Sequence, residues 1–221
     1  MTTNILEVTD LLHTYKDGGE AVKVLKGVNA TFESGNMYAI VGESGSGKTT
    51  LISLIAALDK IQSGDITFDG KSIKEIGENE FRLKYVNIVF QSFNLIRYMT
   101  ARENVEIALD FAGKSDGEKD TAYCLLERVG INRSESDRLV QKLSGGQQQR
   151  VAIARAMAGD VPIVVADEPT GNLDENTEMK ILALFKKLAD AGKIVIIVTH
   201  SKKVARHANA IVKRMERGLL E

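Results

Sequence analysis

The apolar positions of this chain fall into runs of two kinds. Met37-Tyr38-Ala39-Ile40-Val41, Val161-Pro162-Ile163-Val164-Val165-Ala166 and Ile194-Val195-Ile196-Ile197-Val198-Thr199 are almost uninterrupted. A strand with one wet face alternates, so unbroken runs predict strands of a parallel sheet covered on both faces. Each run ends on polar residues: Gly42, the pair Asp167-Glu168, and His200. Val86-Asn87-Ile88-Val89-Phe90 adds a compact strand that ends at Gln91. Open α/β sheets bind ligands at the carboxyl ends of their strands, so these polar ends form one candidate site.

The remaining pattern is of shorter reach. Ile5 to Val8 and Val22 through Phe32 read as short strands around the polar turn Lys16-Asp17-Gly18-Gly19-Glu20, and Ser63 to Gly70 alternates and closes with a turn. Antiparallel sheet is therefore expected before Gly42, with the 63–70 strand joining it. Helical spacing follows: Leu51 to Leu58 reads as a buried helix and Ala101 to Phe111 as another. Lys119 to Val129 carries the stripe Ala122, Leu125, Leu126 and Val129. Gly113-Lys114-Ser115-Asp116-Gly117 is a polar loop between two of these helices, and Ile181, Leu184, Phe185 and Leu188 make a later stripe. The expected class is α/β: antiparallel β and a parallel core over about 1–91 and 160–221, with helices inserted over about 92–159. No repeat or biased linker interrupts it.

Composition narrows the function classes. The chain has 221 residues with 43% hydrophobic content, enough to bury a core. Its 29 Lys and Arg nearly balance 30 Asp and Glu, so no overall field favours nucleic acid or an anionic membrane surface. The single cysteine, Cys124, cannot form an internal disulfide or a cysteine metal site, and is expected to be a partly buried small apolar side chain. No secretory pattern opens the chain, and no apolar run approaches the roughly 20 residues that cross a bilayer. A cytosolic protein is expected, with any membrane role coming through a partner.

The chemistry concentrates in two stretches. Gly42-Glu43-Ser44-Gly45-Ser46-Gly47-Lys48-Thr49-Thr50 lies between a strand and a helix, the context of a P-loop. Glycines let backbone N–H groups converge on an anion, and the helix adds the positive end of its dipole. Lys48 is expected to reach the β and γ phosphates, and the Thr49 hydroxyl to ligate Mg²⁺. Asp167 at the end of a buried strand suits the same metal, and Glu168 beside it suits the attacking water. Gln91 and His200 sit at equivalent strand ends; Gln91 would offer its carbonyl to the metal and His200 would hydrogen-bond the γ-phosphate. Tyr15 is either a lone exposed aromatic or a platform for a nucleotide base, while His13 and His207 have no such placement. The second stretch, Leu143-Ser144-Gly145-Gly146-Gln147-Gln148-Gln149-Arg150, opens a helix that continues through Val151, Ala154 and Ala158. Ser144 with Gln147 makes an S-x-x-Q cap, and a capped, glycine-opened helix end is an anion site.

In order and rough spacing, these elements resemble the ATP-binding cassette family. The loop at Gly42 to Thr50, Gln91, Leu143 to Gln147, Ile163 to Glu168, Asp174 and His200 stand where that family has its Walker A, Q-loop, signature, Walker B, D-loop and H-loop. Tyr15 matches its base-stacking aromatic. Leu58-Asp59, Asn87 to Leu95, Glu103-Asn104-Val105 and Asp167-Glu168-Pro169-Thr170-Gly171-Asn172-Leu173-Asp174 look like the branch that serves macrolide export, lipoprotein release and antimicrobial-peptide efflux. The chain departs in Thr49 for the more usual Ser, in Arg97-Tyr98 where Leu-Pro is common, and in a shorter, more charged tail from Val212 to Glu221.

The resemblance implies a RecA-like P-loop core, ATP and Mg²⁺ as ligands, and a head-to-tail dimer in which Ser144, Gly145, Gly146 and Gln147 of one copy close over the ATP held by Lys48 of the other. Glu168, His200, Lys48 and Gln91 are then the catalytic set, Asp174 joins the nucleotide-binding set, and Thr49, Gln91 and Asp167 hold the metal. It also implies an integral-membrane permease as partner and a place at the cytoplasmic face of the membrane. An alternative of another class is a regulatory ATPase that works a permease-like partner mechanically without transport. A DNA-repair ATPase would need a long heptad insertion between Gln91 and Ser144 and a basic groove.

Overall fold

The computed structural model describes residues 3–17, 20–114, 118–171, 173–201 and 210–221. Gly18 and Gly19 of the first turn, Ser115 to Gly117, Asn172 and His207 lie outside them. The chain opens with β1 (Ile5–Asp17) and β2 (Glu20–Glu33), which pair antiparallel from Ile5 opposite Glu33 to Asp17 opposite Glu20. Both strands are longer than the short segments expected from the pattern. The pairing shifts register between Val8 and Leu11, between Leu11 and Leu12, and between His13 and Thr14, and Asp10 takes a left-handed φ of 45°. Such bulges break the two-residue period, which hides the strand from a pattern reading.

β3 (Met37–Val41) leads through the glycine loop into α1 (Lys48–Ile55), and β4 (Ser63–Phe68) follows. The helix starts three residues before the expected Leu51 and stops before Leu58, because Ala57 turns left-handed at φ 53°. β5 (Lys71–Ser72), α2 (Ile73–Ile76), α3 (Glu78–Lys84) and β6 (Val86–Val89) complete the first half. As expected, β4 pairs with β1, giving an antiparallel sheet of order β2-β1-β4-β5.

After β6 come α4 (Ala101–Phe111), α5 (Glu118–Arg128), α6 (Arg133–Ser136) and α7 (Gly145–Ala158). Thr100 caps α4 in a reciprocal box with Glu103, and the fully buried Asn104 amide bonds both the N–H and the carbonyl of Ile96. The stretch after Gln91 is thereby tied to α4. The stripe Ala122, Leu125, Leu126 and Val129 is buried as the period requires, whereas Cys124 is exposed. That overturns its expected partial burial: position 124 falls on the face of α5 opposite the stripe.

The chain then returns through β7 (Ile163–Asp167), α8 (Glu175–Asp190), β8 (Ile194–Thr199), β9 (Ile211–Glu216) and β10 (Leu219–Leu220). The second sheet has the order β10-β9-β3-β8-β7-β6, parallel apart from β10. Its central strands serve two cores. Val164, Ala166, Val195 and Ile197 pack with α4, α5, α7 and α8, while Ile163, Val165, Ile194, Ile196 and Val198 pack with α1 and the antiparallel sheet. Both faces are dry, which is why the runs are unbroken. Residues 212–221, the tail that departs from the family in length and charge, contribute most of β9 and all of β10. β10 pairs only with Met215 and Glu216, so the start of β9 lies at the sheet edge, Ile211 and Val212 are half in solvent and the apolar signal is weak.

Leu126 is fully buried among α4, α5 and α7. Leu126→Ala should cost about 2–5 kcal/mol in urea unfolding with an unchanged m-value, and Glu127→Ala on the exposed face less than about 0.5 kcal/mol.

Candidate functional site

The glycine loop is shaped from behind. A Cβ on Gly42 would stand 2.3 Å from the Met215 carbonyl oxygen of β9 and 2.8 Å from Ser46 Oγ, so only glycine lets the loop lie this close to the strand. Gly47, the residue before α1, has φ 103°, a conformation strained for any side chain. The backbone N–H of Gly218, in the turn between β9 and β10, donates to the Ser46 carbonyl at 3.1 Å. The loop therefore rests on the last two strands. Lys48 is buried at the first position of α1, and its Nζ donates to the carbonyls of Gly42 at 2.9 Å and Glu43 at 2.8 Å.

The strand ends converge as the pattern required. Ser44, Gly45, Gly47, Lys48, Thr49, Thr50, Gln91, Asp167, Glu168 and His200, with Val24, line one pocket of about 390 Å³. The Thr49 hydroxyl donates to Asp167 Oδ2 at 3.1 Å. Burial pushes the Asp167 carboxyl above its ordinary value; the Thr49 hydrogen bond and the Lys48 charge oppose this, and the Glu168 charge adds to it. A desolvated carboxylate beside a hydroxyl is an oxygen pair whose charge a divalent cation would restore. Among the described residues no group of three or more His, Cys, Asp or Glu is arranged to hold a metal. The Thr49 hydroxyl and the Asp167 carboxylate have the chemistry to serve a cation such as Mg²⁺, which keeps water and phosphate oxygens among its ligands.

Glu168 follows β7 with a left-handed φ of 46°, its N–H bonded to the Val198 carbonyl at 2.9 Å. That turn swings its carboxylate toward the end of β8. There Oε2 accepts from the Thr199 hydroxyl at 3.0 Å, and Oε1 accepts from the His200 backbone N–H at 2.8 Å. The His200 ring, expected on the γ-phosphate, sits with Nδ1 2.8 Å from the same Oε1. Its side chain is 71% exposed against 12% for Glu168, so the ring has room to turn while the carboxylate is enclosed. Thr199 escaped the sequence reading; its signal was a hydroxyl at the end of an apolar run, next to the histidine.

Other expected residues do not line this pocket. Tyr15 is inside β1, opposite Val22. Its hydroxyl donates to Asp59 Oδ2 at 3.2 Å, its ring stands edge-on to buried His13, and burial is the main cause that raises its pKa. Asp174 caps α8, accepting from the Thr177 N–H at 3.0 Å and the Thr177 hydroxyl at 2.6 Å; these bonds, the hydroxyl's first, lower its pKa. Ser144 caps α7 in the expected box: its Oγ accepts from the Gln147 N–H, and Gln147 Oε1 accepts from the Ser144 N–H. Neither Asp174 nor Ser144, Gly145, Gly146 and Gln147 lines the pocket with Lys48.

Comparison with known proteins agrees with this geometry. The family model described as ABC transporter matches residues 25–171. YclH, an ABC transporter ATP-binding protein of Bacillus subtilis, is 43% identical over 217 residues, covering 97% of this chain and 95% of that protein. The macrolide export ATP-binding/permease protein MacB of Mannheimia succiniciproducens is 39% identical over 95% of this chain, which spans only 33% of that longer protein. Among solved structures, the ATP-binding cassette MJ0796 of Methanocaldococcus jannaschii, in a dimeric post-hydrolysis state with ADP and Pi, superposes with a TM-score of 0.89. That match is 37% identical and covers 98% of this chain and 96% of the other. With a matched family model over most of its length and relatives above 40% identity end to end, the chain belongs to the ABC transporter family as one of its ATP-binding ATPases.

Proposed function

We propose that this chain is the subunit that hydrolyses ATP to drive a membrane permease, working in pairs at the cytoplasmic face of the membrane. The observation that carries the reading is a division: the pocket around Lys48 gathers Gln91, Asp167, Glu168 and His200, while the capped helix start at Ser144 opens elsewhere. Two copies related by a twofold axis would bring Ser144, Gly145, Gly146 and Gln147 of one over the Lys48 pocket of the other, making two sites per pair. The dimeric MJ0796 cassette supports that arrangement.

In this reading the glycine loop and Lys48 hold the phosphates, and Tyr15 offers its face to the base. Thr49, Asp167 and Gln91 hold Mg²⁺, which neutralises phosphate charge. Glu168 orients water and accepts its proton; His200, released from Glu168, reaches the γ-phosphate. Residues 92–159 form a helical unit carried on the core of 1–91 and 160–221, and Asp174 caps α8 at the edge that would face the second copy. Among the described residues no helix is long and apolar enough to cross a membrane, and in this reading the spanning part is a permease. It would seat in a groove of about 650 Å³ whose lining includes Leu83 and Phe111, both exposed, with Arg82, Lys84 and Lys114. The one carboxylate lining that groove, Asp160, is already paired with Lys193, so a permease segment with apolar and acidic side chains fits best. Similarity to the macrolide export protein MacB supports an export role with macrolide cargo; antimicrobial-peptide or lipid-like cargo rests on the motif resemblance alone.

A general base contributes about 10²–10⁴ in rate, so Glu168→Gln should lower turnover by that factor while ATP-dependent dimerisation survives; unchanged turnover removes Glu168 from the role. Ser144→Phe should block ATP-dependent dimerisation, with nucleotide binding by the monomer retained at a cap cost of about 1 kcal/mol in stability. Equal loss of monomer binding would refute a site shared between copies. Phe111→Asp should abolish co-purification of the permease and leave hydrolysis by the isolated chain intact.

A further inference from the structure

The two oxygens of Glu168 are held by donors of different mobility. Oε1 faces His200, whose backbone N–H donates to it and whose exposed ring lies 2.8 Å away. Oε2 accepts from Thr199 Oγ1 at 3.0 Å. Thr199 is 1% exposed and ends β8, where it pairs with Val41, the residue that leads into the glycine loop. Its hydroxyl also accepts from the Ser201 N–H at 3.0 Å, which leaves the hydroxyl proton for Glu168. A β-branched side chain in a strand is stiff at χ1, so this donor is set by the same sheet register that sets the loop.

We propose that Thr199 is a positioning residue for hydrolysis: it fixes Oε2 of Glu168 from the strand frame, so that Oε1 is the oxygen presented to the attacking water. A carboxylate oxygen accepts two hydrogen bonds. On Oε1 the His200 N–H takes one and the His200 ring Nδ1 stands at the other, so the place for water opens when the exposed ring turns away toward the γ-phosphate. Without the Thr199 hydroxyl the carboxylate rotates about its last torsion and loses that aim, although nothing that touches nucleotide has changed. The inference rests on the reading of Glu168 as the residue that handles water.

The test is steady-state ATP hydrolysis by Thr199→Val, which keeps the shape and removes the donor, and by Thr199→Ser, which keeps the donor. The expected result is kcat lowered roughly 10- to 100-fold in Thr199→Val with KM for ATP and ATP-dependent dimerisation unchanged, and most of the rate restored in Thr199→Ser. Should Thr199→Val fold poorly, judged by its thermal midpoint, Thr199→Ala carries the same comparison. In a Glu168→Gln background Thr199→Val should lower kcat no further, because the two residues act as a unit. A wild-type kcat in Thr199→Val, a loss that appears in KM, or a full additional loss in the Glu168→Gln background overturns the proposal. Unchanged turnover in Glu168→Gln alone overturns instead the reading on which it rests, so the two failures are told apart.

Discussion

The register of the parallel sheet is the constraint on which the site depends. Val41 lies opposite Thr199, Asp167 opposite Val198, and Val89 opposite Ala166. These pairings bring the glycine loop, the acid pair and His200 to one edge, with Gln91 two residues beyond the last of them. A slip of one residue would turn each side chain to the other face of the sheet and misplace the site as well as the core. That slip is opposed by burial on both faces: Ile163 and Val165 belong to one core, Val164 and Ala166 to the other. The same residues that stabilise the fold thus hold the spacing between the strand ends that lead to Lys48, Asp167 and Glu168.

Much of this was legible in the sequence because the signals were local. The unbroken runs at residues 37–41, 161–166 and 194–199 reported burial on two faces, and their polar ends reported the site. The Ser144 to Gln147 box, the 122–129 stripe and the span of α4 needed only helical periodicity and capping chemistry. What could not be read depends on distant pairing. The bulges between Val8 and Thr14 interrupt alternation, so β1 and β2 were cut short. β9 and β10 owe their order to β3 and to the glycine loop rather than to their own apolar content, and they read as a tail. Within the site the residue identities were visible, but who holds whom was not: that the His200 ring lies on Glu168, and that Thr199 holds the other oxygen, follows from a left-handed backbone turn at Glu168 that no composition announces.

The helical segment is bound to the region beyond Gln91 by few, specific contacts. Phe93 and Asn94, two residues in succession with left-handed backbone, are held by the Arg155 guanidinium, which donates to both of their carbonyls. Arg155 lies on α7, the helix that Ser144 caps, and burial lowers its pKa. Two adjacent left-handed residues are costly outside glycine, and a half-buried guanidinium bonded to neutral carbonyls is also costly. Each makes the other tolerable, and together they tie the last turn of α7 to the segment after Gln91.

The backing of the glycine loop by β9 and the turn at Gly218 bears on how the molecule is made. The loop is synthesised early, yet the strand that presses against Gly42 and the N–H that bonds Ser46 belong to residues 215–218. A contact spanning most of the chain is slow to form and forms after local structure. During synthesis the anion cradle would stay slack until those late residues have emerged, so a nascent chain would carry every residue of the pocket and still be unable to close on a nucleotide.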